Sequence, residues 1–387
     1  MSVTAPLGFR ASGVTAGLKT SGAPDVALVV NDGPISSAAA VFTSNRCKAN
    51  PVLWSEQAIT TGSARAVVLN SGGANCYTGA EGFQIVHATA ELAGELLSVG
   101  PIDVQVCSTG LIGLLNDRDD LLGGVREAAS ALSGDGGAAA ATAIMTTDTV
   151  SKQAVRTSSV GGASYSIGAM AKGAGMLAPA LATMLVVITT DADLSATDLD
   201  AALRVATGQS FDRLDSDGCQ STNDTVLLMA SGSSEVTPDL AEFTEQLTEL
   251  CRDLALQLLA DAEGADHEIA IETVNAATEE DALAVGRSVA RSNLFKCAIF
   301  GKDPNWGRIL ASVGTTDAAF DPADLDVALN GVWVCRNSGP AEDPTTVDLE
   351  QRSVSVTIDL KAGKEAATIW TNDLTQAYVH ENSAYSS

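Results

Sequence analysis

The chain has 387 residues, with 48 acidic against 22 basic side chains and a net charge of −26. That balance argues against nucleic acid or an anionic membrane surface as a partner, because both are bound through lysine and arginine. Apolar residues make up 45% and aromatics only 4%, so the expected core is Ala, Val, Leu and Ile, large enough for two substructures or one large sandwich.

Along the chain, the opening M-S-V-T-A-P-L-G-F-R shows no basic region followed by an apolar core. Strands are expected at Val26–Val30, Arg65–Asn70, Asp103–Cys107, Met184–Thr189, Val226–Met229, His267–Val274, Asp326–Asn330, Ser353–Leu360 and Ala367–Thr371. A helix over 84–98 carries Val86, Ala90, Ala93 and Leu97 on one face. The glycine- and alanine-rich stretch 134–142 is a turn leading into a helix or packed segment. A second helix, 239–260, places Leu240, Phe243, Leu247, Leu250, Leu254 and Leu258 on one stripe, with Thr237 as its cap and Pro238 in the first turn. A third, 279–290, opens on a capping box from Thr278 to Asp281. Strands adjacent in sequence near the C-terminus point to an α/β protein of mixed sheets covered by helices.

Cys47, Cys76, Cys107, Cys219, Cys251, Cys297 and Cys335 are odd in number and contain no C-x-x-C pair. They read as small core residues in a reducing compartment, not as a disulfide framework or zinc site. With only His87, His267 and His380 available, no metal is expected. The longest apolar run, Met176 to Ile188, is broken by proline and falls short of the ~20 residues that span a bilayer. A soluble, cytoplasmic protein is the expectation.

Four segments carry possible chemistry. In K-G-A-G-M-L-A-P-A-L-A-T-M-L, 172–185, two glycines and a proline precede Thr183 and an apolar run. Unusual backbone angles there would strain the Ala182–Thr183 bond, and cutting it would give Thr183 an α-amine of pKa near ~7.7–8 to serve as its own base. A cation such as Lys172 would lower that pKa. Spacing alone favours the plainer reading, a β-former opening a buried strand. In C-S-T-G-L-I-G, 107–113, Thr109 and Gly110 at a strand end form either an oxyanion hole or a glycine turn. D-S-D-G-C-Q-S-T-N-D, 215–224, fails the calcium-loop template and reads as a polar loop of Asx turns. G-K-D-P-N-W-G-R, 301–308, is either a turn anchored by Trp306 or a pocket lining. The polar tail from Tyr378 has the composition of a frayed end.

Together these segments resemble one family, the ornithine acetyltransferases or ArgJ-type enzymes of arginine biosynthesis, along essentially the whole chain. The resemblance rests on A-A-A-V-F-T-S-N-R-C-K-A-N-P-V from 38, N-S-G-G-A-N from 70, C-S-T-G-L-I-G from 107 and I-M-T-T-D-T from 144. It continues through the 172–185 segment, D-G-C-Q-S-T-N-D-T-V from 217, A-I-F-G-K-D-P-N-W-G-R-I-L from 298 and Y-V-H-E-N-S-A-Y-S-S from 378.

The resemblance implies a pair of α/β sandwich substructures, DmpA/ArgJ-like, sharing the logic of N-terminal-nucleophile hydrolases. It implies a precursor that cuts itself between Ala182 and Thr183 into an α chain, 1–182, and a β chain, 183–387, assembled as an α2β2 heterotetramer. By the motif match Thr183 is the nucleophile, and Thr109 and Gly110 are the oxyanion donors. Substrate contacts fall on Thr149, Lys172, Thr183, Glu263, Asn382 and Ser387, so the chain end would be an ordered wall of the site. The implied reaction moves the acetyl group of N2-acetyl-L-ornithine to L-glutamate without a cofactor, with acetyl-CoA as a possible second donor. The rival readings are an amine–threonine amidohydrolase or aminopeptidase on small amino-acid amides, and an uncut binding protein for amino acids. One departure from the family pattern follows E-G-A at 263–265, where threonine and lysine are usual and this chain has Asp266-His267.

Overall fold

The computed structural model describes residues 2–177 and 184–384. The chain divides into two compact units, one of residues 1–174, 180–212 and 220–261, the other of 175–179, 213–219 and 262–387.

The first unit holds two mixed sheets. One runs Phe9–Val14, Val26–Asn31, Ala66–Asn70, Val104–Ser108, antiparallel except for its last, parallel pair. The other is ordered Ala38–Phe42, Thr225–Ala230, Leu185–Thr190, Ala163–Lys172, Lys152–Val160, with one parallel pair, Leu185–Thr190 beside Thr225–Ala230. Their facing sides form one core: Ala27, Val29, Val67 and Leu69 from the first sheet meet Met170, Val187, Leu227 and Met229 from the second. The outer face of the first sheet is covered by helices Asn50–Ala58, Gly79–Leu97 and Arg118–Ser130, through Trp54, Ile85, Ala90, Leu121 and Val125. Helices Ala196–Gly208 and Leu240–Ala260 pack against the second sheet. The unit is therefore an α/β sandwich of four layers. A strand with both faces covered needs apolar residues on both faces, which is why Val26, Ala27, Leu28, Val29 and Val30 run together, as do Leu185, Val186, Val187 and Ile188, and both strands are buried throughout. Each such side chain contributes about 1.5–3 kcal/mol.

The second unit is a six-stranded mixed sheet ordered Gly339–Pro340, Val332–Arg336, Asp326–Leu329, Ser353–Asp359, Glu268–Ala276, Glu365–Asn372. Its single parallel pair joins Glu268–Ala276 to Ser353–Asp359. Val354, Val356 and Ile358 alternate with more exposed neighbours and pack into one core with Val285 and Val289 of helix Glu279–Ala290.

Several expectations need correction. The cap of helix Leu240–Ala260 is Asp239, not Thr237; its carboxylate accepts from the Ala241 and Glu242 N–H groups at 3.0 and 3.2 Å, and Pro238 precedes the helix. The helix expected from 84 begins a turn earlier, at Gly79, and ends at Leu97, closed by Ser98 at φ 57°. Cys47, Cys219 and Cys297 are exposed, leaving Cys76, Cys107, Cys251 and Cys335 as core residues. The described part of the polar tail lies in a helix, Gln376–Ala384. Thr278 does cap its helix, accepting from Asp281 N–H. Among the described residues no helix is long and apolar enough to cross a membrane.

Candidate active site

In the first unit, strand Val104–Ser108 ends at Thr109-Gly110, and the turn is stitched to the N-S-G-G-A-N segment. Thr109 N–H donates to Asn70 C=O at 2.9 Å, and Ala74 N–H to Leu111 C=O at 3.0 Å. Behind the turn, Asn116 Nδ2 reaches Asn70 Oδ1 and Gly73 C=O, both at 3.1 Å. Asn223 Nδ2 reaches Ala74 C=O at 2.6 Å and Ser108 C=O at 2.8 Å. Gly110 has φ +125°, and a Cβ there would lie 3.0 Å from the Gly72 carbonyl and Gly73 Cα. Only glycine fits both demands.

Lys172 comes from the end of strand Ala163–Lys172 and is 2% exposed. Its ammonium donates to Thr146 Oγ1 at 2.7 Å and Thr109 Oγ1 at 3.2 Å. An ammonium can only donate, so Thr109 Oγ1 is the acceptor and keeps its own hydrogen for another partner.

The I-M-T-T-D-T block supplies the counter-charge. Asp148 Oδ1 accepts from Lys152 Nζ at 2.5 Å and from Gly173 N–H at 2.7 Å, and Oδ2 lies 3.9 Å from Lys172 Nζ. Burial pushes the Asp148 carboxyl up, but Lys172 and Lys152 outweigh it and hold the group down at about 2. Lys152, fully buried, is also paired with Asp261. Thr149 is exposed; its hydroxyl donates to Asp261, and its N–H reaches the same carboxylate at 3.0 Å. The structure thus brings Thr109, Gly110 and Lys172 together, while Thr149 joins them only through its neighbour Asp148.

In the second unit, Glu263 Oε2 accepts from Asn382 Nδ2 at 2.9 Å. Gly175 lies against that carboxylate, where a Cβ would sit 2.6 Å from Oε2, so this glycine is required by space. Among the described residues of the segment, Met176 has a left-handed backbone, φ 55°. Glu263, Asp217, Lys296 and Tyr378 line a cavity of about 80 Å³. Burial raises the Asp217 carboxyl and draws the Lys296 ammonium down to about 8, although Asp217 and Asp215 pull it back up. The Asp266-His267 departure is absorbed locally. Both peptide N–H groups donate to Asp373 Oδ1, at 3.1 and 3.0 Å, and His267 Nδ1 lies 2.6 Å from Asp373 Oδ2, while Asp266 itself is exposed. Trp306 opens helix Trp306–Val313 under an Asn305 cap, and residues 302–307 line an open cavity of about 620 Å³.

Ala182, Thr183 and Ser387 lie outside the described residues. Residue reading alone missed Asn70, Asn116, Asn223, Asp148 and Lys152. All but Asn116 and Lys152 lie in blocks that carry the family resemblance, which was the available signal.

The ArgJ family model matches residues 10–387. The arginine biosynthesis bifunctional protein ArgJ of Streptomyces coelicolor is 62% identical over 387 residues, covering all of both chains. Its namesake in Thermobifida fusca is 61% identical over 386 residues, again covering both completely. A solved structure of ornithine acetyltransferase from Mycobacterium tuberculosis complexed with ornithine is 50% identical, with a TM-score of 0.43, covering 48% of this chain and 96% of that one.

Proposed function

The chain belongs to the ArgJ family, and on that premise we propose that it is a self-cutting acetyltransferase of arginine biosynthesis, moving acetyl from N2-acetyl-L-ornithine to L-glutamate through an ester on Thr183. The cut falls between Ala182 and Thr183 and frees the α-amine of Thr183. That amine takes the Oγ proton as Oγ attacks the acetyl carbonyl. Thr109 Oγ and Gly110 N–H receive the oxyanion, and ornithine leaves with the proton. Glutamate's amine then attacks the ester and departs as N-acetylglutamate. The observation that supports this reading most is the Lys172–Thr109 hydrogen bond, because it leaves the Thr109 proton to donate beside a glycine whose backbone would strain any side chain. Glu263 and Asn382 are assigned to substrate contact, as are Thr149 and Ser387.

The test is product analysis with glutamate and either acetylornithine or acetyl-CoA, the second donor we propose. N-acetylglutamate is expected from both; free acetate alone would show a hydrolase instead.

Lys172 has two roles in this scheme, orienting Thr109 and anchoring the α-carboxylate common to both substrates. Lys172→Met is expected to raise KM for acetylornithine and glutamate alike by about tenfold or more, the worth of a charged hydrogen bond, and to lower kcat as well. Unchanged KM values would remove the anchor.

The cut chains are expected to stay together. The five-stranded sheet takes Ala38–Phe42, Lys152–Val160 and Ala163–Lys172 from before the cut, and Leu185–Thr190 and Thr225–Ala230 from after it. Two hydrogen-bonded seams therefore join the fragments, Ala38–Phe42 to Thr225–Ala230 and Ala163–Lys172 to Leu185–Thr190. Native purification of a tagged 1–182 fragment should carry 183–387 with it, at the mass of an α2β2 cytoplasmic assembly, and the two should part only in denaturant.

A further inference from the structure

Exchange of an acetyl group between ornithine and glutamate carries a problem of charge. Both are α-amino acids, but one side chain ends in an ammonium and the other in a carboxylate. A subsite of a single sign would hold one and repel the other. The second unit contains a cavity whose wall carries both signs: Asp217, Glu263, Lys296 and Tyr378 line a space of about 80 Å³. That is far below the ~300–1,000 Å³ of a pocket enclosing a whole ligand, so it suits the end of a side chain.

Lys296 is the only charged residue of helix Asn293–Phe300, and it is buried, 5% exposed. Its ammonium donates to Ser216 C=O and, at 3.2 Å, to Thr371 Oγ1. Both acceptors are neutral, and an ammonium has a third hydrogen to give. The carboxylates around it are engaged elsewhere. Asp215 is paired with Arg291 at 2.7 Å, and Asp373 with His267 at 2.6 Å. Asp217 accepts from the Met176 and Cys219 N–H groups, at 2.7 and 3.1 Å. Among the described residues Lys296 therefore makes no ion pair, and a buried cation without a counter-ion is costly. Burial draws it down to about 8, which leaves it mostly charged at neutral pH. The cavity's carboxylates are also without an ion pair among the described residues. Glu263 accepts from Asn382 Nδ2 at 2.9 Å, and Asp217 Oδ2 from the Tyr378 hydroxyl at 3.4 Å. Glu263 and Asp217 are near enough that one pushes the other's carboxyl up, an arrangement that a cation relieves.

We propose that this cavity reads the side-chain end of both substrates, with Lys296 receiving the γ-carboxylate of glutamate and Glu263 the side-chain ammonium of acetylornithine. The inference rests on the acetyl-transfer reading above and adds Lys296 to it as the residue that admits the acceptor. The third hydrogen of Lys296 supplies a charge-assisted bond to the incoming carboxylate, and the carboxylate supplies the counter-ion that the buried ammonium lacks. When acetylornithine is bound instead, its ammonium sits against the carboxylates, and Lys296 keeps its two neutral acceptors.

Steady-state kinetics with acetylornithine as donor, and glutamate or glutamine as acceptor, test this, with thermal unfolding measured in parallel. Glutamine has the shape of glutamate without its charge. Wild type is expected to have a KM for glutamate about 10–100-fold below that for glutamine, the worth of a charged hydrogen bond. Lys296→Met should raise KM for glutamate by that factor, erase the preference over glutamine and leave KM for acetylornithine near its wild-type value. Glu263→Gln should do the reverse, raising KM for acetylornithine and sparing glutamate. A lysine that only supports the fold would move both KM values together or leave the preference for glutamate intact in Lys296→Met, and either result overturns the proposal. Should Lys296→Met fail to fold, wild type that accepts glutamine as readily as glutamate overturns it without the variant. Wild type that acetylates neither acceptor removes the acetyl-transfer reading itself.

Discussion

Thr183→Ala is expected to yield one uncut chain of 387 residues with no acetyl transfer. Both losses have the same origin. Without Oγ there is no acceptor for the Ala182 acyl group, so the bond stays closed and the α-amine is never released. Without the amine and the hydroxyl there is neither base nor nucleophile for the acetyl group. The fold should survive, because the strand that follows, Leu185–Thr190, is held by Ala163–Lys172 on one side and Thr225–Ala230 on the other and is buried at every position. Unfolding temperature close to wild type, an intact band and no N-acetylglutamate form the expected set. Thr183→Ser keeps a hydroxyl and should restore cutting and slower turnover. A Thr183→Ala chain that still appears as two fragments, or still transfers acetyl, refutes the nucleophile assignment.

The legible part of the fold is the part where both faces of a strand are buried. Val26–Asn31, Ala66–Asn70 and Thr225–Ala230 announce themselves as apolar runs with a polar residue only at one end, and their ends fall within a residue or two of expectation. The hairpin Lys152–Val160 and Ala163–Lys172 does not, because its residues are largely Ser, Thr, Ala and Gly, with no clean alternation. Its one readable mark is Gly161-Gly162, both at positive φ, the requirement of a two-residue hairpin turn. That omission matters for function, since the missed strand is the one that delivers Lys172. Phe9–Val14 and Ala38–Phe42 were missed for the same lack of bulk.

The site was legible as residue types and not as a network. Thr109 and Gly110 stand beside one another in sequence, so a strand-end turn could be read directly. What holds them could not, because the partners are distant: Asn223 lies 115 residues from Ser108, and Lys152 lies 109 from Asp261. A buried lysine between two carboxylates looks, in sequence, like any surface charge. The resemblance to a family found the blocks without saying which atoms they join; the fold turns N-S-G-G-A-N and C-S-T-G-L-I-G into a single stitched turn.

That stitching makes Gly110→Ala the second large expected effect. At φ +125° an L-residue is strained, at a cost of about 1–3 kcal/mol. The added methyl would also meet the Gly72 carbonyl and Gly73 Cα at 3.0 Å, and both are backbone atoms that cannot rotate away. Either residue 110 turns its N–H off the oxyanion or the 70–75 loop moves and takes Thr109 with it, because Thr109 N–H is tied to Asn70 C=O. Both routes spoil the same donors, so kcat should fall about 10²–10³-fold, the loss typical of one oxyanion donor. KM should change little, because the oxyanion exists in the transition state and not in the bound substrate. Steady-state kinetics on acetylornithine and glutamate read the split, and Thr109→Ser, which keeps the hydroxyl and its bond from Lys172, serves as the mild control. If KM rises and kcat holds, the turn binds substrate and does not stabilise the transition state, and the oxyanion donors must be sought elsewhere in the first unit.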